Sequence, residues 1–487
     1  MDHALPAAPP RKRRWARIAR AIVLPLLLVA VALAIHLRIA LGPELPTPAL
    51  LTASPAPAAL FFHDVAVFTG TETTSRPHCD VLVQGGRVVS IKPVGASAPP
   101  PGAEIVEGAG RTLLPGLIDT HTHVSGAGAP PWAPVRVSDA HNLEAYVYAG
   151  VTTTYVLGGL AGDLAKLEGD AASGKIIGPH LWYTHLPITA PGGHPLVVGK
   201  QLVPWPLSSI LTSMIPQPAD AAGAEAAVEA TEKQGAHFVK AMIDQLPPSA
   251  PEMREEILRA VAEAAHKRQK KLFVHIGTAA DALAAVRAGA DVLAHGVYRG
   301  TITKEQAAEI ARNKVPVIFT MAGWVRTAAL AHGTFAPTAL DRATVPEAVL
   351  ASLSGDAGKR FAAKGALAEF VGSLLENERY WAENARTLHA AGVTMLVGTD
   401  SPLPGIFPGS ALHEEMRLLV EAGIPPGEVL LGATSRAADV LALDVGRIEE
   451  GRPAELVLVR GDPVANIGDA AAVELLLLRG RVVRRAR

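Results

Sequence analysis

The run Leu114-Pro-Gly-Leu-Ile-Asp-Thr-His-Thr-His123 ends an apolar stretch with two histidines two residues apart. Side chains alternate across a strand, so His121 and His123 share one face while Thr122 points to the other. Neutral imidazoles placed side by side suit zinc and neighbouring divalent metals. Two histidines can equally decorate a solvated strand, so the chemistry depends on further ligands reaching the same place. Four residues qualify: Lys240 in Phe-Val-Lys-Ala-Met, His275 ending Leu-Phe-Val-His, His295 after Val-Leu-Ala, and Asp400 in Val-Gly-Thr-Asp-Ser. Each lies in or directly after a short apolar β-type run. His141, His180, His237, His266, His389 and His413 fall at strand starts or in helical stretches and are read as core or surface residues.

The elements that would position these side chains alternate along the chain. Apolar β-type runs are expected over Leu113–His123, Thr152–Leu157, His180–Leu186, Phe238–Ile243, Leu272–Ile276, Val292–Gly296, Pro316–Met321 and Thr394–Asp400. Ala- and Glu-rich helical stretches such as Ala221–Gln234, Pro251–Lys270, Ala279–Ala288 and Lys304–Asn313 separate them. About eight strands with intervening helices predict an α/β protein built as a (β/α)8 TIM-like barrel, in which catalytic side chains stand at the carboxyl ends of the strands. No Gly-x-Gly-x-x-Gly follows the first strand, against a dinucleotide-binding sheet. Short β-runs around Leu60–Phe68, Val81–Val83 and Arg87–Ile91 have counterparts at Ala454–Val459 and Val473–Val483, so both ends are expected to build one small β-sandwich domain. The expected organisation is a basic stub and apolar segment (1–41), a Pro-rich tether (42–58), β-domain (59–112), barrel (113–443) and β-domain again (444–487).

The chain has 487 residues, 49% of them hydrophobic, which is ample for a large catalytic core. Its 45 basic and 46 acidic side chains give no reason to expect nucleic acid as a partner. The basic cluster Arg11–Arg14 precedes an apolar run, Ala21–Ile35, that continues to Leu41 and reaches the length needed to span a bilayer. An uncleaved anchor is expected, with the catalytic body extracytoplasmic, periplasmic in a bacterium. The rival reading is a signal peptide whose cleavage releases a secreted protein; Arg13-Arg14 also has the look of a twin-arginine export signal. A single cysteine, Cys79, excludes an intrachain disulfide. The oligomeric state is left open.

With Pro-Gly-x-Ile-Asp-x-His-x-His, a strand-four lysine, two later histidines and a final aspartate, the sequence from Ala59 to Val483 resembles the amidohydrolase superfamily. Glu383–Asp400, Leu419–Pro426 and Gly446–Gly451 resemble its imidazolonepropionase-related and prolidase-like branch. One departure is Ala454-Glu455, where the family usually reads Ala-Asp. The resemblance implies two divalent metal ions, most naturally zinc. His121, His123 and Asp400 would hold one and His275 with His295 the other, bridged by a carbamate that carbon dioxide forms on Lys240. It also implies a metal-activated hydroxide attacking a carbonyl, with Asp400 as the catalytic proton carrier.

The Gly-Gly-His loop Thr189–Pro195 follows strand three, and the prolidase-like branch implies that His194 holds the carboxylate end of a substrate. Tyr298 and Arg299, just after His295, are further candidates for that contact. The long connection 322–390, with Trp324, Arg326, His332 and Trp381, is expected to be a lid in its first half and a scaffold helix in its second. The expected reaction is cleavage of an amide C–N bond in a small-molecule substrate, a dipeptide or N-acyl amino acid. Lactones, cyclic amides and phosphoesters are alternatives, as is a mononuclear deaminase, which would not need Lys240. A non-catalytic tethered receptor would be expected to have lost at least one ligand.

Overall fold

The computed structural model describes residues 11–159, 161–355, 360 and 364–486. Of residues 11–21 and 161 it describes the backbone alone, so the side chains of the basic cluster Arg11–Arg14 lie outside the described part. After a long helix, Arg11–Leu41, come β1 (Leu51–Pro55), β2 (Ala59–Val67), β3 (Arg76–Gln84), β4 (Arg87–Pro93), β5 (Glu104–Glu107) and β6 (Arg111–Pro115). The body contributes β7 (Leu117–Thr122), β8 (Val151–Val156), β9 (His180–Tyr183), β10 (Val239–Met242), β11 (Leu272–His275), β12 (Val292–Ala294), β13 (Val317–Phe319) and β14 (Met395–Val397). The chain closes with β15 (Leu456–Arg460), β16 (Val473–Leu478) and β17 (Arg481–Arg485).

Both ends of the chain do share one sheet, in the order β1-β17-β16-β15-β6-β2-β3-β4 with β5 on β2. It is hydrogen-bonded as a single nine-stranded sheet rather than as two facing sheets. Register shifts at Phe62/Val65 and Leu458/Val459 are bulges that bend it. Phe62, Val81, Leu113, Leu456 and Leu475 form a buried core within it. Leu51–Pro55, read from its prolines as tether, is an edge strand on β17, where proline is tolerated.

The expected first barrel strand, Leu113–His123, divides in two. β6 pairs antiparallel with β15 in the nine-stranded sheet, whereas β7 pairs parallel with β8. Gly116 makes the crossing: a Cβ there would stand 2.0 Å from Thr152 Oγ1, so a side chain would keep the two strands apart.

Each of the other seven β-runs appears close to its expected place, and all eight body strands are paired parallel, in sheets β7-β8-β9 and β10-β11-β12-β13-β14. Isolated parallel bridges, Ile188↔Ala241 and Thr122↔Ser401, join these two sheets at both ends. Ile118, Tyr155, Phe273, Val292, Ile318 and Leu396 project from six of these strands into one buried cluster. The helices between begin where side chains satisfy their free N–H groups: Asp220 caps Ala221–Lys233, and capping boxes at Thr278 and Thr303 start Ala279–Ala288 and Lys304–Arg312. Within Arg11–Leu41 the stretch Ile22–Leu41 has mean hydropathy 2.5 and none of it is buried, which suits a membrane anchor or a signal sequence equally.

Candidate metal centre

The carboxyl ends of the body strands converge on one cavity of about 490 Å3. His121, His123, Lys240, His275, His295 and Asp400 all line it. β7 and the chain after β14 are tied at this end: the Thr399 and Asp400 amides donate to the His121 carbonyl at 3.1 and 2.8 Å, and the His123 amide donates to Ser401 at 2.6 Å. That pairing sets Asp400 Oδ1 3.3 Å from His121 Nε2 and 3.0 Å from His123 Nε2. The ligand atoms of these three residues lie within 4.8 Å of one another, a spacing that one ion can bridge.

The imidazoles continue in a row. Ring centroids are 5.9 Å apart for His123–His121, 4.5 Å for His121–His295, 4.3 Å for His295–His275 and 4.8 Å for His275–His194. Neighbours outside the row aim His123, His295 and His275. His123 Nδ1 donates to the Gly158 carbonyl at 3.1 Å, His295 Nδ1 meets Thr320 Oγ1 at 2.7 Å, and His275 Nε2 meets Asp244 Oδ2 at 3.2 Å. Such outer contacts fix tautomer and orientation in metal-binding histidines. His295 and Asp400 both have positive φ, 71° and 63°, a strained conformation for residues with side chains that is typical of functional sites.

Burial disfavours charge on His121, His295 and Lys240. It lowers the His121 imidazole to about 3 and His295 well below its ordinary value, helped by neighbouring cationic groups. Burial also lowers the Lys240 amine to about 7, against the pull of Asp400. Lys240 Nζ and His121 Nδ1 are buried without a hydrogen-bond partner. A buried ammonium with no partner is costly, whereas a neutral amine can be modified or can ligate. Burial pushes the Asp400 carboxyl up, but His121 and His123 outweigh it and hold the group ionised well below the usual carboxylate range. Asp119, of the same run, is pushed up to about 8 by burial while it accepts from the His121 amide at 3.2 Å and Thr399 Oγ1 at 2.7 Å. Imidazole nitrogens and an ionised carboxylate are donor types that a divalent metal centre takes, and the orphaned amine lines the same cavity.

The substrate-side residues divide. His194 lines the cavity, with Nδ1 3.2 Å from the Leu246 carbonyl. Tyr298 and Arg299 do not line it; the Tyr298 hydroxyl and the Arg299 guanidinium both bond to the buried carboxylate of Asp244. In the long connection, Trp324 on helix Met321–His332 lines the cavity and stacks on Tyr298 at 4.4 Å. Arg326 is buried against Asp341 and Glu414, and His332 pairs with Glu378 on the surface. Trp381 Nε1 donates to the Tyr298 carbonyl at 3.0 Å. Helix Gly365–Asn377, in the half expected to be scaffold, also lines the cavity through Leu367 and Phe370.

Asp244 and Thr320 went unnoticed in the sequence. Both have the one signal available: a polar residue directly after an apolar run, at the end where the candidate ligands stand.

The pattern that defines the amidohydrolase family matches residues 112–483. The chain belongs to the amidohydrolase family. Its fold is similar to that of a Xaa-Pro dipeptidase with bound methionine, at 21% identity and TM-score 0.70 over 87% of this chain and 98% of that one. A prolidase complexed with N-methylphosphonate-L-proline is 21% identical with TM-score 0.67, over 88% of this chain and all of that one. The A. niger ochratoxinase is 19% identical with TM-score 0.64, over 87% and 95%. Likeness at these identities is likeness of fold. Curated relatives match over short stretches: an adenine deaminase of Paracoccus denitrificans (strain Pd 1222) is 29% identical over 140 residues, 26% of this chain and 22% of that protein. Dihydropyrimidinase 2 of Caenorhabditis elegans is 38% identical over 77 residues, 16% and 14% of the two lengths. The chain therefore spans under a quarter of the length of these relatives. Amidohydrolases generally use divalent metal ions, in keeping with the His121, His123 and Asp400 group.

Proposed function

We propose that this chain is a binuclear metal-dependent hydrolase of amide bonds, acting on dipeptides or N-acyl amino acids. The observation that carries the reading is the orphaned, buried Lys240 amine in a cavity also lined by five histidines and Asp400. His121, His123 and Asp400 would hold one ion and His275 and His295 the other, zinc by donor type. Lys240, as a carbamate made with carbon dioxide, would bridge them with two oxygens. Divalent cations held there would supply acidification of a water and polarisation of the scissile carbonyl. Asp400 takes the proton of the attacking water and delivers it to the leaving nitrogen, so water adds across the C–N bond to give an acid and an amine. His194 greets the distal end of the substrate, and the row of outer partners holds the imidazoles still.

The same proposal covers the architecture. The bridges Ile188↔Ala241 and Thr122↔Ser401 support closing the eight parallel strands into a (β/α)8 barrel, with β1–β6 and β15–β17 as the accessory β-domain. The helix Arg11–Leu41 would serve as an uncleaved anchor with the body outside the cytoplasm.

The test is mass-spectrometric detection of hydrolysis by the full chain, loaded with zinc and bicarbonate, across dipeptides and N-acyl amino acids. Cleavage is expected, and Asp400→Asn should lower turnover by about 10²–10⁴-fold while the thermal melt is kept. Silence across the library with two ions bound per chain would overturn the amide reading. Unchanged turnover in Asp400→Asn would remove the proton-carrier role.

A further inference from the structure

We infer that the segment Leu196–Ile215 docks on the lipid bilayer beside the N-terminal apolar helix, and that the cavity beneath it takes amides bearing a long hydrocarbon chain directly from the membrane. This deepens the amide-hydrolase and anchor readings above and rests on both.

Two short helices, Leu196–Leu202 and Leu207–Met214, make up the segment, and Lys200 is the charged residue among its twenty. Residues four apart share a helix face. On the inner face Leu211 and, one turn on, Ile215 line the cavity. On the outer face Ile210 and Met214 are 51% and 52% exposed, and Trp205, in the turn between the helices, is 64% exposed. Large apolar side chains held exposed beside the small hydroxyls of Ser209 and Ser213, with no charge among them, suit the boundary of an apolar medium on the outer side.

The contact that identifies that medium is with the apolar helix. His36 Nε2 donates to the Trp205 carbonyl at 2.9 Å, and the two rings stand 6.1 Å apart. His36 and Arg38 are the polar side chains near the end of the stretch Ile22–Leu41, the positions that mark the membrane–water interface of a spanning helix. Tryptophan settles at that depth, between acyl chains and headgroups. His36 lies about 8 Å along the helix from Leu41, so its bond holds Trp205 near the outer boundary of the span Ile22–Leu41, and Ile210 and Met214 extend the exposed apolar surface from there. A partner protein or a second copy would need no such registration with the span.

The interior completes the route. Val198, Leu202, Leu211, Ile215, Leu367 and Phe370 line the side of the cavity formed by this segment and helix Gly365–Asn377, which are joined where the Leu367 amide donates to Gln201 Oε1 at 2.9 Å. The cationic side chain lining the cavity, among the described residues, is Lys240 at the histidine end. A hydrocarbon chain lying along this side of the cavity meets these apolar side chains while its carbonyl reaches the histidines. Hydrolysis then transfers the water oxygen to the acyl carbon and releases the amine, giving a fatty acid that returns to the bilayer.

Two readouts on the full chain in phosphatidylethanolamine–phosphatidylglycerol vesicles separate this inference from the readings it rests on. Acyl-chain-brominated phosphatidylcholine should quench tryptophan fluorescence in the unmodified protein, and Trp205→Phe should remove much of that quenching. The triple variant Trp205→Ser, Ile210→Ser, Met214→Ser should hydrolyse a short, soluble N-acetyl amide at the unmodified rate and a vesicle-borne long-chain N-acyl amide on the order of tenfold more slowly. Quenching that is indifferent to Trp205→Phe overturns the docking, and with it a concentration-dependent dimer in detergent would give the patch to a second copy. Equal rates of the variant on both substrates overturn delivery from the bilayer. Trp205-dependent quenching with no amide cleaved at any chain length upholds the docking and overturns the amide reading with the substrate class.

Discussion

A buried lysine without a hydrogen-bond partner is an unstable arrangement unless something else occupies its nitrogen, and Lys240 is 1% exposed with its amine lowered by burial to about 7. Replacing it with alanine should lower the metal bound per chain, read by elemental mass spectrometry, and a short carboxylic acid should restore part of it by supplying the missing oxygens. Full metal content in Lys240→Ala would remove the bridging role. Asp244 bonds to His275, and Tyr298 and Arg299 converge on the same carboxylate. Asp244→Asn should therefore cost about 10–100-fold in metal affinity, measured by competition with a chromophoric chelator; wild-type affinity would show that His275 needs no such partner. The six residues proposed as ligands were legible because a ligand must be one of few residue types and must stand at a strand end. Asp244 was not, because its importance lies in contacts to residues 31, 54 and 55 positions away. For the same reason Tyr298 and Arg299 looked free to meet a substrate when the fold turns both toward Asp244.

At the scale of elements, the strands were legible from apolar runs bounded by glycine and proline, since fully buried parallel strands read as unbroken apolar stretches. What such a run does not reveal is a change of sheet partner within it, as at Gly116, where only contact with Thr152 distinguishes the residue from an ordinary turn glycine. Nor did composition separate the helices Met321–His332 and Gly365–Asn377, since both bury one face and both line the cavity. Gly398 is the element-scale counterpart of Lys240. It follows β14, and a Cβ there would lie 2.8 Å from His121 Cβ and 2.7 Å from Ile318 Cγ2, both in the packed wall between β7 and β13. Gly398→Ala should cost about 1–3 kcal/mol through forced displacement of that wall, read as a lower denaturation midpoint, and should lower metal content because His121 moves. A variant with unchanged midpoint and metal would show that the wall gives way freely.

Across the whole molecule the question is what the N-terminal helix does for the body. None of Ile22–Leu41 is buried, so its apolar surface contributes nothing to the core, and its hydrogen bond to the Trp205 carbonyl is at an exposed site. The body, by contrast, depends on the chain soon after it. β1 pairs with β17 from Leu51↔Arg485 to Pro55↔Arg481, and the Leu50 and Leu51 amides donate to Glu144 Oε1 at 2.9 and 2.7 Å. A truncation placed at residue 59, where the sequence reads as the end of a tether, would uncover the β17 edge and leave the Glu144 carboxylate, raised by burial, without the donors that favour its charged form. Removal of residues 1–41 keeps both. The expected outcome is a protein with a melting temperature within about 2 °C of the full chain, since a change of 1 kcal/mol moves a domain of this class by a few degrees. It should also keep the metal content and the rate on soluble amides, and be recovered from the supernatant after vesicle sedimentation. Removal of residues 1–58 should melt measurably lower. If the two truncations melt alike, β1 is an ornament of the sheet; if the shorter one already melts well below the full chain, the apolar helix is part of the folded body and the anchor reading fails.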